Sequence, residues 1–270
     1  MEFRHPLPGT TLVRGRNPFV VQRCRAKSVL HVGCVDAGLL EQRFARGELL
    51  HQKLRKVARR LIGADIDADG IRFLAAHGIE DVYRVDLSDP TAALPFARQT
   101  FDVIVLSEVI EHLLNPGRML QRLQELMQPE VTELLVTVPN AFTVNNLLHM
   151  SRGVEYVHPD HNCYLSYVTL RNVLQKSGLR IAEELAYTFE ADVLPARIRR
   201  RVLTFDEPSP PAADFGWART TYWRLRAWPG RVVRRIIAGY LYARTPFWAD
   251  GLIAICQRPA ADSSATHTLG

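Results

Sequence analysis

The chain has 270 residues, 47% of them hydrophobic, and a formal net charge of +6. This excludes a disordered or fibrous chain, and no window reaches the roughly 18 continuous apolar residues of a membrane span. Cys24, Cys34, Cys163 and Cys256 show no paired or zinc-finger spacing, which favours a reducing cytoplasm over a disulfide framework.

Residues 1–25 have no apolar signal core and read as a leader that packs or frays. "SVLHVGCV" (28–35) is then a buried strand, followed by a polar-apolar stretch through "LLHQKLRKVARR". "RLIGADI" (60–66) is a second strand and "ADGIRFLAAHG" a helix with a glycine stop, for which Asp67 is the better N-cap. "VYRVDL" (82–87), "FDVIVLS" (101–107) and "TELLVTVPN" (132–140) continue the series. "YVTLRNVLQKSG" is a helix, "LRIAEELAY" a sixth strand and "DGLIAICQRP" (250–259) the last strand.

Strands alternating with helices predict an α/β, Rossmann-like fold: a mostly parallel sheet sandwiched by helices, seven-stranded, with a helical insertion before the last strand. The domain spans 26–191 plus 248–259, the insertion 192–247, and 260–270 is a polar tail expected to be disordered. The insertion gathers ten arginines from Arg197 to Arg235, with Trp217, Trp223 and Trp228, while Trp248 adjoins it. A helical cap or anion-binding lid ranks first for it, contact with an anionic membrane surface second and nucleic acid third, since no nucleic-acid module is present.

In such a sheet, ligands gather beyond the carboxyl ends of the strands. The first strand ends in "GCVDAG", where Gly33 permits a tight turn, but this is not G-x-G-x-x-G. Asp65 closes the second strand where a carboxylate would accept ribose hydroxyls, and Asp86 closes the third, placed to meet an adenine amino group. After the fourth strand, "EVIEHLLNP" read as a helix puts Glu108, Glu111 and His112 at i, i+3 and i+4, on one face. Such a face suits a divalent cation; equally, Glu108 could favour the helix dipole while His112 caps or packs. His158, Asp160 and His161 follow in a later loop that could add a ligand.

The series "VLHVGCVDAG", "IGADIDADGI", "YRVDLSD", "FDVIVLSEVIEHL" and "LLVTVPN" resembles the class I S-adenosylmethionine-dependent methyltransferases over about residues 26–190 and the final strand. The resemblance implies S-adenosylmethionine as cofactor, with Gly33 and Cys34 at its methionine part. It sets Asp65 and Ile66 at the ribose end, Asp86 and Leu87 at the adenine, and Ser107 near the reacting centre. This chain departs from the family in carrying His31 in place of an acid, and Val35 and Ala37 in place of glycines. The E-x-x-E-H part is similar to ubiquinone-pathway and small-RNA 2′-O-methyltransferases. It implies Glu108, Glu111, His112 and His161 as ligands of a divalent metal such as Mg, with His112 and His161 as catalytic bases if no metal is used. The expected acceptor is a hydroxylated small molecule, sugar, glycolipid or quinol-like compound, with peripheral contact at the inner membrane face as a further expectation. The alternatives are RNA-end ribose methylation and a cofactor-binding, non-catalytic partner subunit.

Overall fold

The structure, a computed structural model, describes residues 4–7, 9–189, 202–205, 236–237, 239–242 and 244–260. Eight strands form one sheet in the order β1-β7-β8-β6-β5-β2-β3-β4. They are β1 (Thr11–Arg14), β2 (Ser28–Val32), β3 (Arg60–Asp65), β4 (Val82–Arg84), β5 (Val103–Ser107), β6 (Glu133–Pro139), β7 (Arg180–Thr188) and β8 (Gly251–Gln257). All neighbours pair in parallel except β8, which runs antiparallel between β6 and β7.

The central strands are apolar throughout because helices cover both faces: every residue of β2 and β5 is buried. Alternation still sorts them. Leu30, Val32, Ile104 and Leu106 join one core with Leu120 and Leu123 of α5 (Pro116–Gln124) and Leu170 and Leu174 of α7 (Tyr167–Lys176). Val29, Val103 and Val105 join the other, against Phe19 and Val20 of α1 (Arg16–Arg23) and Leu54 of α3 (Leu50–Arg55). Between α1 and α3 in number lies α2 (Leu40–Ala45); α4 (Ala68–Ala76) follows β3, and α6 (Val144–Met150) follows β6.

Helix starts are set by side-chain caps. Asp67 accepts the N–H groups of Asp69 and Gly70 at α4, as the sequence predicts. At α7, Ser166 and Thr169 form a reciprocal capping box.

The seven-strand expectation is corrected to eight. The predicted leader supplies the extra strand, since β1 pairs with β7 from Thr11↔Leu185 to Arg14↔Thr188. Part of the insertion packs on this edge: the Arg14 N–H donates to the Leu203 carbonyl at 2.7 Å, and Val202 and Tyr242 bury beside Leu12 and Ala186. The arginine- and tryptophan-rich stretch 206–235 and the tail 261–270 lie outside the described residues. Among the described residues, no helix is long and apolar enough to cross a membrane.

Candidate active site at the carboxyl ends of the strands

β2 gives way to a turn at Gly33, whose φ of +70° is a left-handed conformation that other residues adopt at a cost. A Cβ there would stand 2.4 Å from Cγ2 of Val109, so the turn lies directly against the chain leaving β5. Asp65, at the end of the neighbouring strand, braces the turn from the other side. Its Oδ2 accepts the Val35 N–H at 2.8 Å and its Oδ1 the Asp67 N–H at 3.0 Å. A carboxylate offers about four lone-pair sites, so two remain for a ligand's hydroxyls.

Ile66 follows with 65% of its surface exposed, although it is apolar. Asp86 is also exposed, and its Oδ1 accepts from the Ser88 N–H at 2.8 Å and hydroxyl at 2.6 Å. An exposed apolar side chain and a carboxylate at neighbouring strand ends suit an aromatic ring bearing an amino group. Cys34 and Leu87 behave differently from expectation. Each is 1% exposed, with Leu87 in the main core and the Cys34 sulfur turned toward Gly63 between β2 and β3. Both lie just past the ends of their strands with their side chains in the interior, so those side chains do not line the site. Burial, and then Asp65, push the Cys34 thiol well above its ordinary range. His31 is likewise interior. Its Nδ1 lies 3.2 Å from Nδ1 of His51, the two rings stacked with centroids 5.4 Å apart.

At the end of β5, the Ser107 hydroxyl pairs with that of Thr137 at 2.9 Å. Glu108 has a φ of +56° and turns its carboxylate back into the protein. There Oε1 accepts from Thr137 Oγ1 at 3.0 Å and from the Tyr187 hydroxyl at 3.2 Å, while Arg16 Nη1 stands 3.4 Å from Oε2. Burial works against the charge on Arg16, but Glu108 and its neighbours outweigh it and hold the guanidinium above its ordinary value. Tyr187 can cross this strand only because position 251 is glycine: a Cβ there would sit 2.1 Å from its ring. Sequence reasoning missed Arg16, Thr137 and Tyr187. No motif marks them, and only the β1–β7 edge brings Arg16 near.

The helix expected from Glu108 is replaced by one 3-10 turn, Ile110–His112, and α5 starts later, at Pro116, with Asn115 as its cap. The i, i+3, i+4 convergence therefore fails. Glu111 is 1% exposed, with no hydrogen-bond partner on either carboxylate oxygen. Burial, reinforced by Glu108, pushes its carboxyl up to about 9.

His112 instead points to the loop that precedes α7. The loop is pinned to the turn: the Asn162 N–H donates to the Glu111 carbonyl at 2.8 Å and its side-chain amide to the His112 carbonyl at 2.6 Å. This brings the ring centroids of His112 and His161 to 4.6 Å and those of His112 and His158 to 5.7 Å. One ligand nitrogen from each of the three rings lies within 4.8 Å of the others. Of the four ligands expected, the structure thus gathers His112 and His161, adds His158, and places Glu108 and Glu111 outside the group. Burial, then His112 and His158, lower the His161 imidazole below its ordinary value, although it remains partly exposed.

A cleft of about 310 Å³, lined by His51, Arg55, Arg59, Asp81 and Tyr83 among others, opens at the amino ends of β3 and β4. It is therefore at the opposite end of the strands from these groups and is not their binding pocket.

Sheet order, antiparallel β8 and acidic strand ends define a class I S-adenosylmethionine-dependent methyltransferase fold. The model of the methyltransferase domain family matches residues 16–184, and the chain belongs to that family. It is 25% identical over 144 residues to a ubiquinone biosynthesis O-methyltransferase of Chelativorans sp., covering 53% of this chain and 52% of that protein. It is 28% identical over 168 residues to a protein of Mycolicibacterium smegmatis named as a probable S-adenosylmethionine-dependent methyltransferase, covering 62% and 57%. The chain spans about half the length of the first of these relatives. Among solved structures, the small RNA methyltransferase HEN1 aligns with a TM-score of 0.52 at 14% identity, over 91% of this chain and 25% of that one, which shows the fold alone.

Proposed function

We propose that this chain binds S-adenosylmethionine along the carboxyl ends of β2, β3 and β4 and transfers its methyl group to a hydroxyl oxygen held near His112 and His161. The observation that carries the reading is Asp65, a carboxylate braced across the glycine turn with acceptor capacity to spare, beside exposed Ile66 and Asp86. Asp65 would hold the ribose hydroxyls, Ile66 and Asp86 the adenine, and the Gly33 backbone the methionine part. Bound S-adenosylmethionine supplies an electrophilic methyl group on sulfur.

What the chain must add is an aligned oxygen with somewhere for its proton to go. Imidazole nitrogens of His112 and His161 at the site's edge are suited to take that proton. The same end of the sheet fits a divalent metal: three imidazoles converge, and the buried Glu111 carboxyl on the same turn as His112 lacks any hydrogen-bond partner. A metal held there would bind adjacent acceptor oxygens and lower their pKa.

The ubiquinone-pathway relatives support oxygen as the atom methylated. The segment between β6 and His158 exposes Phe142, Leu147, Met150, Val154 and Tyr156, which favours an acceptor with an apolar portion, such as a glycolipid or quinol-like compound. Calorimetry with S-adenosylhomocysteine and a radiolabelled methyl-transfer screen of phenolic, sugar and lipid-linked acceptors test the reading. Binding by the native chain and its loss in Asp65→Ala are expected. No binding at ligand concentrations on the order of 1 mM would refute it.

A further inference from the structure

We infer that His112, His158 and His161 form a three-imidazole site for a nitrogen-preferring divalent metal of the zinc, cobalt or nickel class, with His158 standing where the sequence pattern offers Glu108. The inference deepens the methyl-transfer reading and rests on it for its function, though not for its test.

The first observation is that Glu108 is committed elsewhere. Thr137, Tyr187 and Arg16 all engage its carboxylate, and it is not part of the histidine group. Releasing it toward a metal would leave the Arg16 guanidinium, itself largely buried, without its partner, which is costly.

The second observation is the histidine group itself. A tetrahedral zinc site holds each nitrogen at about 2.0–2.1 Å from the ion, so its nitrogens lie roughly 3.4 Å apart. Here the three nitrogens stand within 4.8 Å of one another before any ion draws them in. The adjustment falls on His158, whose side chain is 55% exposed on a loop and has room to move.

The third observation is a ready outer partner. Nδ1 of His158 accepts the Asp160 N–H at 3.3 Å and lies 3.9 Å from the Asp160 carboxylate, leaving Nε2 as the ligating nitrogen. Ligation through Nε2 moves the ring proton to Nδ1, which ends its acceptance of the Asp160 N–H and turns it toward the Asp160 carboxylate, a partner type that orients ligating histidines in many metal sites. An all-imidazole donor set selects borderline metals over Mg²⁺, which prefers oxygen ligands.

The test uses the full chain freed of any oligohistidine tag, titrated with Zn²⁺ and with Mg²⁺ alone by calorimetry, and with Co²⁺ by visible absorption. One Zn²⁺ per chain, an intense tetrahedral Co²⁺ band and much weaker Mg²⁺ binding are expected. His158→Ala should weaken Zn²⁺ by more than the about 10–100-fold that losing an outer partner costs, and Asp160→Asn by about 10-fold. Zn²⁺ affinity unchanged in His158→Ala, or Mg²⁺ bound in preference to Zn²⁺, would overturn the inference. S-adenosylhomocysteine binding is measured on the same proteins. If it is absent throughout, the methyl-transfer reading fails while the metal result still stands or falls by itself.

Discussion

The buried pair His31 and His51 makes acid stability a direct probe of the fold. With Nδ1 atoms 3.2 Å apart, one ring must donate and the other accept, and burial disfavours a charge on either. Burial lowers both imidazoles: His31 well below its ordinary value, and His51 from 6.5 to about 4. The unfolded chain therefore takes up protons first as pH falls. The stability tied to His51 is present in full above about 6.5, declines as pH drops toward about 4, and levels off below that. A displacement of this size corresponds to about 3 kcal/mol in total, of which about 2 kcal/mol is lost by about pH 5. Urea unfolding at about pH 7.5 and about pH 5 measures it, with the double substitution His31→Leu and His51→Leu as the reference that cannot titrate. The native chain should lose at least about 2 kcal/mol more than the variant over this interval, since His31 adds its own share to that of His51. Equal losses in the two proteins would refute the reasoning, because the pair would then contribute nothing to the proton uptake of unfolding.

Three further outcomes follow from the site. Gly33→Ala sets a Cβ 2.4 Å from Val109 and forces a left-handed residue, so a loss of about 2–4 kcal/mol in denaturant stability and weakened S-adenosylhomocysteine binding are expected. Tyr187→Phe removes one hydrogen bond to Glu108 and should lower stability by about 1 kcal/mol, read by thermal melting. Gly251→Ala should cost more than Tyr187→Phe, by at least about 1 kcal/mol, because its Cβ would enter the Tyr187 ring.

Much of the sheet was legible because its central strands are covered on both faces and read as unbroken apolar runs, as in "VIVLS" of β5. Strand β1 was not. Four residues, "TLVR", carry too little pattern, and their strand character comes from pairing with β7, far away in sequence. The spacing at 108–112 suits a helix, but the helix starts only at Asn115-Pro116, where the "NP" dipeptide marks its cap and first residue, and 110–112 closes as a 3-10 turn. Asp65 and Gly33 stand where strand-end reasoning put them. Cys34 and Leu87 do not present their side chains, since alternation past a strand end depends on a twist that the sequence does not state. Where Glu108 points depends on Arg16, and no local pattern links residues so far apart.

The pairing of β1 with β7 also orders events during synthesis. Thr11 emerges early, yet its partner Leu185 is made more than half a chain later, after β2 to β6 have all left the ribosome. Long-range pairings of this kind form late, because the loop they close must be ordered first. Until that edge zips, Arg16 is not beside Glu108, and the carboxylate at the end of β5 lacks that cation to balance it. The charge balance at the heart of the enzyme fold is thus among the last things the nascent chain acquires.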